Sequence, residues 1–275
     1  MRLTLLIIVA LMAFAANSIL VRVALAEGLI GPGAFGAIRL LSGALMLLLI
    51  VLAQGQVRVA VARANAASAA TLLVYVVGFS YAYVTLETGT GALILFGGVQ
   101  ITMFCGALLG GERPALARWI GAGLGLLGLA VLFGPTVESP DIGGASIMAF
   151  AAIGWGLYSL RGRKAEAPTQ ATAANFVLAT PFALLVWWIL PDETGVTTTG
   201  VMLALASGAV ASGIGYAIWY SVLPYLKPTQ AAVVQLSVPI IALSGGVVFL
   251  REPLTWTFVL AATLIIAGVI VALRR

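Results

Sequence analysis

Arg39 stands well inside the apolar run 32–53. An arginine at that depth of a bilayer costs roughly 2.5–3.5 kcal/mol on insertion scales, so something must hold it. It can snorkel to the headgroups, pair with a carbonyl or carboxylate, or anchor the carboxylate of a bound solute. Asn17, Ser18, Gln100, Ser159, Gln235 and Ser237 fall at similar depth in other apolar runs. An amide without a partner in hydrocarbon is costly, so these groups bond across helices or face a wet passage. Gln100 is flanked at helical spacing by Phe96 and Phe104. Tyr75, Phe79 and Tyr83 share one helix face, and Tyr216, Trp219 and Tyr220 another, with Trp155 and Tyr158 also deep in their run. Buried tyrosine and tryptophan seek hydrogen-bond partners, which a water-accessible cavity supplies. Ordinary core packing satisfies the same rings equally well. Pro239 removes a backbone hydrogen bond in the run 228–250 and must bend it, either as the hinge of a gate or simply to shape a bundle.

Covalent chemistry finds few instruments here. The chain has no histidine, which excludes His-based metal sites, Ser-His triads and His proton relays. No GxSxG elbow occurs, and the acidic residues fall at or near the ends of the apolar runs. Cys105 is the single cysteine and cannot form an internal disulfide. No enzyme activity, metal or cofactor is expected.

The elements that must carry these residues are membrane helices. Only 8% of the chain is charged and 62% is hydrophobic. A soluble domain needs about a quarter of its residues charged, so the exterior of this one is lipid. Ten runs are long enough to cross about 30 Å of hydrocarbon: 3–25, 32–53, 66–86, 89–109, 115–133, 143–161, 171–190, 199–224, 228–250 and 254–273. Their continuous apolarity argues for helices and against a barrel. The first run resembles a signal peptide in length but lacks a small-residue cleavage site, and is read as a retained helix.

The net charge of +5 is an orientation signal and not a nucleic-acid footprint. With the N-terminus in the cytoplasm, Arg2, Arg58, Arg63, Arg113, Arg118, Arg161, Arg163, Lys164, Lys227, Arg274 and Arg275 lie inside, against Arg251 alone outside. That asymmetry obeys the positive-inside rule, and ten crossings return the C-terminus to the same side.

The chain also repeats itself. Gly111-Glu112-Arg113-Pro114 recurs as Leu250-Arg251-Glu252-Pro253. At nearly the same interval Phe14, Asn17 and Ser18 match Trp155, Tyr158 and Ser159, and Tyr81-Ala82 echoes Tyr216-Ala217. Five crossings separate the copies, so the second half enters the membrane inverted, with halves 1–138 and 139–275. Inverted repeats are a construction plan of transporters, whose site lies between the halves. Proline and an acid in these turns read as ordinary helix-start signals. Gly121-x-x-x-Gly125 reads as close packing within the bundle.

These features together resemble the drug/metabolite transporter superfamily in its EamA-type branch. They are ten helices in two halves, the Glu-Pro turns, Ile38-Arg39-Leu40-Leu41, the glycine-rich run 115–133 and Leu236-Ser237-Val238-Pro239. Within that branch, the tyrosine and tryptophan content most resembles bacterial aromatic amino-acid exporters. Gln100 stands about where the other half has Pro239, a departure from internal symmetry. The resemblance implies an inner-membrane protein whose path is lined by the first four helices of each half, with the fifth and tenth buttressing outside.

The expectation is therefore an all-α integral membrane protein that exports a small metabolite by alternating access. An aromatic or other apolar amino acid is the expected cargo, moved without ion coupling, since no intramembrane acid or histidine chain is present. The substrate pathway is expected at Asn17, Ser18, Arg39, Tyr75, Phe79, Tyr83, Gln100, Trp155, Tyr158, Tyr216 and Gln235, with Pro239 as hinge. Partners are the small solute and membrane lipid; the oligomeric state, monomer included, stays open. A lipid-precursor or drug carrier of the same fold and a non-transporting membrane assembly protein are the alternatives.

Overall fold

In a computed structural model of the chain, residues 2–58, 63–86, 88–134, 141–250 and 254–274 are described. Three helices stop where a glycine can turn left-handed. Gly28, Gly55 and Gly111 have φ of 61°, 65° and 83°. The N–H of the next residue then bonds five positions back, Leu29 to Ala24, Gln56 to Val51 and Glu112 to Ala107. This Schellman closure satisfies carbonyls the last turn leaves orphaned. It ends α1 (Arg2–Ala26), α2 (Pro32–Ala53) and α4 (Thr88–Leu109). Side-chain caps mark starts: Asn65 accepts from Ser68 N–H before α3 (Ala66–Ala82), and Asp141 from Gly144 N–H before α6 (Ile142–Gly162). The others are α5 (Leu116–Phe133), α7 (Pro168–Ile189), α8 (Thr198–Tyr225), α9 (Pro228–Gln235 continuing as Ser237–Leu250) and α10 (Trp256–Leu273).

Two of these are irregular where they pass the centre. In α8 a π-helical stretch, Ser207–Ile214, separates two α-helical pieces. In α9 the helix breaks at Leu236. Pro239 accounts for the break: it has no N–H for the Gln235 carbonyl four positions back, and its ring crowds that carbonyl. A second proline, Pro181, lies inside α7.

The chain is all-helical, and among the described residues no strand occurs. Among the described residues nine helices are long and apolar enough to cross a membrane; α3, at 17 residues, is shorter. The run 66–86 is thus helical only to Ala82. Val84 and Thr85 fold back in a turn onto Tyr81 and Ala82, and the Thr85 hydroxyl donates to Asp141 at 3.0 Å. Leu5, Leu49, Phe150, Phe182, Trp188 and Met202 are exposed on the outside of the bundle. Such a surface is stable only with lipid as solvent.

Helices pair in a regular manner. α3 lies along α6 as α8 lies along α1; α2 packs on α7, α4 meets α9, and α5 packs on α10. The last pair is closest where Gly121 and Gly128 face Gly268 and Ala261, and a Cβ on Gly268 would stand 2.6 Å from the Gly121 carbonyl. Gly125 instead seats Leu236 of α9. The glycine run therefore packs the bundle internally, as small residues do between membrane helices.

The Glu-Pro turn has a different role from the one its composition suggests. α5 begins only at Leu116, with Ala115 as a cap lacking a side-chain bond, so Pro114 is not its first residue. Gly111 and Glu112 close α4, and Glu112 Oε1 accepts from Arg118 Nη1 and Thr229 Oγ1, both at 2.7 Å. The acid ties α4 to α5 and α9. Its counterpart Arg251-Glu252-Pro253, and the division near residue 138, lie outside the described residues.

Candidate functional site

The centre of the bundle is built around Arg39, which is 0% exposed. It does not snorkel: α2 faces inward at that point, and the guanidinium lies 5.3 Å from the Tyr75 ring centre and 5.9 Å from that of Phe79. Nε donates to Ser212 Oγ at 3.0 Å, and Nη2 to the hydroxyls of Tyr216 at 2.9 Å and Tyr75 at 3.4 Å. Nη1 has no partner, and no carboxylate pairs with Arg39 among the described residues. The π-helical stretch of α8 makes the nest possible. Gly208 there lets α8 press directly on α2, since a Cβ would collide with Ser42 Oγ and the Arg39 carbonyl. The wide turn that follows presents Ser212 and Tyr216 to the same guanidinium.

In front of this nest lies a cavity walled by Phe14, Asn17 and Ser18 of α1, Tyr75 and Phe79 of α3, Leu95, Phe96 and Val99 of α4, Trp155 of α6, Tyr216 of α8, and Gln235 and Val238 of α9. Phe14 touches Trp155 and Tyr216 edge-on, with centroids at 5.4 and 5.7 Å, and Trp155 lies 4.9 Å from Tyr75 and 4.8 Å from Tyr216. Phe14 and Trp155, matched in the sequence repeat, thus meet face to edge. Tyr75 and Tyr216 are separated by that same interval in sequence, and both accept from Arg39 Nη2. Tyr81, which sequence similarity pairs with Tyr216, sits near one end of the bundle, its hydroxyl donating to the Leu190 carbonyl at 3.1 Å.

The polar groups on the wall are anchored. Trp155 Nε1 donates to Gln235 Oε1 at 2.6 Å, and Gln235 Nε2 reaches the Ala231 carbonyl at 3.3 Å. Ser207 Oγ donates to Asn17 Oδ1 at 2.6 Å, and Ser18 Oγ to the Phe14 carbonyl at 3.2 Å. About 400 Å³ between the lining side chains and their mouth is unfilled by atoms, yet a water molecule's centre can roam over only about 30 Å³ of it. That is room for a water or two and too little for an amino acid.

Of the candidates read from sequence, Asn17, Ser18, Tyr75, Phe79, Trp155, Tyr216 and Gln235 line this one cavity. Four other candidates are not on the wall. Gln100 points to α5, its Nε2 donating to the Ala122 carbonyl at 3.2 Å, which makes it a helix-to-helix bond. Tyr83 caps the end of α3, edge-on to Phe79 and against Gly91. Tyr158 is buried one layer back, between Trp155 and Tyr220. Arg39 stands behind Tyr75 and Tyr216. The wall also draws on six helices and not eight, because α2 and α7 form a second layer. Ser207 and Ser212 were missed; their signal was two serines, each followed by glycine, within one apolar run.

Polar ties between distant segments close both ends of the bundle. At one end Asp192 accepts the N–H groups of Gly33 and Ala34 at 2.9 and 2.8 Å, and Thr197 Oγ1 donates to the Leu29 carbonyl at 2.7 Å. At that end too, the carboxyl of Asp141 is held below the usual carboxylate range by the Gly144 N–H and the Thr85 hydroxyl. At the other end Gln170 donates to Gln54 and Gln56, Arg63 pairs with Glu166, and Thr229 donates to Glu112. Among the described residues no three His, Cys, Asp or Glu side chains converge to hold a metal ion.

The EamA-like transporter family matches residues 142–274. An uncharacterized protein of Pseudomonas aeruginosa is 43% identical over 268 residues, 98% of this chain and 93% of its own length. A probable amino-acid metabolite efflux pump of Salmonella typhimurium is 27% identical over 199 residues, 66% of each chain. A solved crystal structure of a protein shares the fold with a TM-score of 0.83, covering 99% of this chain and 97% of its own at 21% identity.

Proposed function

The chain belongs to the EamA-like transporter family, and from that premise we propose an inner-membrane exporter of small metabolites, with aromatic or other apolar amino acids as cargo. It is a multi-pass membrane transporter by membership, with small molecules as its substrate class. The finer reading is ten crossings in two inverted halves, 1–138 and 139–275, with both termini cytoplasmic. The reciprocal packing of α3 on α6 and α8 on α1 supports it, as does the charge asymmetry of the connecting segments.

One observation carries the cargo assignment. The central cavity is walled by rings from both halves, Phe14, Tyr75 and Phe79 against Trp155 and Tyr216, with Asn17 and Gln235 as polar handles. Flat apolar walls with a few fixed polar groups suit a small amphipathic solute with an aromatic part. The likeness to the Salmonella efflux pump supports export of an amino-acid metabolite. The cavity is too narrow for that cargo as it stands, so one end opens to admit it and the other to release it. Movement follows the solute gradient, because the chain has no histidine and among the described residues no acid lines the cavity to carry a coupled proton; Glu87 lies outside the described residues.

Purified protein in liposomes preloaded with phenylalanine or tryptophan tests the reading. Efflux should exceed that of protein-free vesicles and should not become uphill when a pH gradient is imposed. Equal efflux with and without protein removes the cargo; proton-driven accumulation removes the uncoupled mechanism.

A further inference from the structure

Arg39 carries a positive charge that nothing nearby neutralises. Its three made hydrogen bonds go to neutral hydroxyls, Nη1 is free, and no acid faces it among the described residues. A guanidinium so placed sets a positive potential in a low-dielectric interior. The two tyrosines relay it. Each accepts from Nη2 at its oxygen and keeps one O–H to donate, that of Tyr216 shared with the neighbouring Tyr75 and Ser212 hydroxyls, and both Tyr75 and Tyr216 line the cavity. A phenol that accepts from a cation is a stronger donor, as charge-assisted chains polarise one another.

The opposite charge has no counter-ion: among the described residues no Asp or Glu lines the cavity. The amide oxygen of Asn17 already accepts from Ser207, and that of Gln235 from Trp155. An ammonium group entering this space finds ring faces and part-used amide acceptors but, among the described residues, no carboxylate, and Arg39 repels it.

Resting on the exporter reading above, we propose that Arg39, Tyr75 and Tyr216 form a carboxylate-recognition site that ignores the amine. Substrates are then selected as aromatic carboxylates, and acids of the arylpropionate or arylpyruvate class, lacking the amino group, are carried along with the amino acids. The carboxylate accepts from the two tyrosine hydroxyls. Arg39 acts through them as a positioning residue that fixes their oxygens and supplies the charge.

Four probes of one size separate the contributions: phenylalanine, phenylpropionate, phenethylamine and the neutral phenylpropanol. Binding to the purified full chain is read by tryptophan fluorescence and export by liposome efflux. Phenylpropionate should bind within about tenfold of phenylalanine, and phenethylamine at least about tenfold more weakly than either. Arg39→Gln should erase the carboxylate-over-amine preference while phenylpropanol binding stays put, an outcome loss of structure alone would not give. Arg39→Lys should retain part of the preference. Should Arg39→Gln fail to fold, Tyr75→Phe with Tyr216→Phe keeps both rings, removes only the hydroxyls and should erase the same preference. Phenylpropionate more than about a hundredfold weaker than phenylalanine, or a preference untouched by both variants, overturns the proposal while leaving an amino-acid exporter standing. Binding of none of the four overturns both readings.

Discussion

Replacing Asp192 by asparagine should open one end of the bundle without unfolding it. Asp192 lies in the connection between α7 and α8, yet it caps the distant α2. Gly31, the residue at that cap position, has no side chain to offer, and Asp192 presses so close that a Cβ there would collide with it. Its two oxygens take the Gly33 and Ala34 N–H groups at 2.9 and 2.8 Å. Hydrogen bonds to a charged group contribute about 1.5–3 kcal/mol each when shielded, and an anion at a helix N-terminus adds about 0.3–1 kcal/mol. The site is half-buried, so the lower values apply. Asparagine keeps one acceptor and loses the charge and the second bond, a loss of about 1.8 kcal/mol, or about twentyfold in an equilibrium. Because the bond joins the two proposed halves, the loss under that reading falls on the closed arrangement and not on either half alone. The assay is a single cysteine at the cavity wall, Ser18→Cys in a Cys105→Ser background, labelled by a membrane-impermeant maleimide from the Asp192 side. Asp192→Asn should raise the labelling rate about twentyfold while the melting temperature changes little. An unchanged rate with a lowered melting temperature would show that Asp192 is only a cap, and the gating role would be wrong.

Three further outcomes follow from the contacts. Trp155→Phe strands Gln235 Oε1 in the cavity wall and should destabilise by about 1–3 kcal/mol, whereas adding Gln235→Leu should recover most of that in thermal melts, because both partners are then apolar. Glu112→Gln leaves Arg118 nearly buried without its counter-charge and should cost about 3 kcal/mol by the same measurement, with Arg118→Met in addition restoring part of it. The lowered pKa of Asp141 means that its stabilisation is present above the ordinary carboxylate pKa and fades as pH falls through its lower folded value. Asp141→Asn should therefore flatten the dependence of the melting temperature on pH below about 4, and leave the neutral range parallel to the parent.

The membrane runs and the charge asymmetry could be read from sequence because length and apolarity alone decide whether a helix can cross lipid. Which face of each helix turns inward could not. Leu and Phe serve equally against lipid and against a neighbouring helix, so periodicity carries almost no signal in chains that are apolar all round. Gln100 and Gln235 look equivalent on that basis, yet one bonds across to α5 and the other holds Trp155 at the cavity. Arg39 was legible as anomalous because its cost is independent of context; that it is buried against two tyrosines was not. The π-helical stretch has no local code that could have announced it. It arises where Gly208 lets two helices approach, a tertiary event that decides where Ser212 and Tyr216 point.

Where the polar contacts lie bears on how such a molecule would move. Two sets of ties between distant segments, Asp192 to α2 and Gln170 to Gln54 and Gln56, are at the two ends. The middle is joined by the bonds of Arg39 to Ser212 and Tyr216 and of Ser207 to Asn17, and by ring contacts among Phe14, Tyr75, Trp155 and Tyr216 at 4.8–5.7 Å. Hydrogen bonds are directional and are lost within a fraction of an ångström, while edge-on ring contacts tolerate several geometries at similar energy. A rocking of one proposed half on the other would break one set of end ties, roll the central rings and strain the bonds of Arg39 and Asn17 that span the same divide. Arg39 fits that scheme, since its ties run from α2 to α3 and to α8, one in each half. A solute carboxylate competing for the tyrosine hydroxyls would then couple occupancy to the relation between the halves, because it engages a residue from each at once.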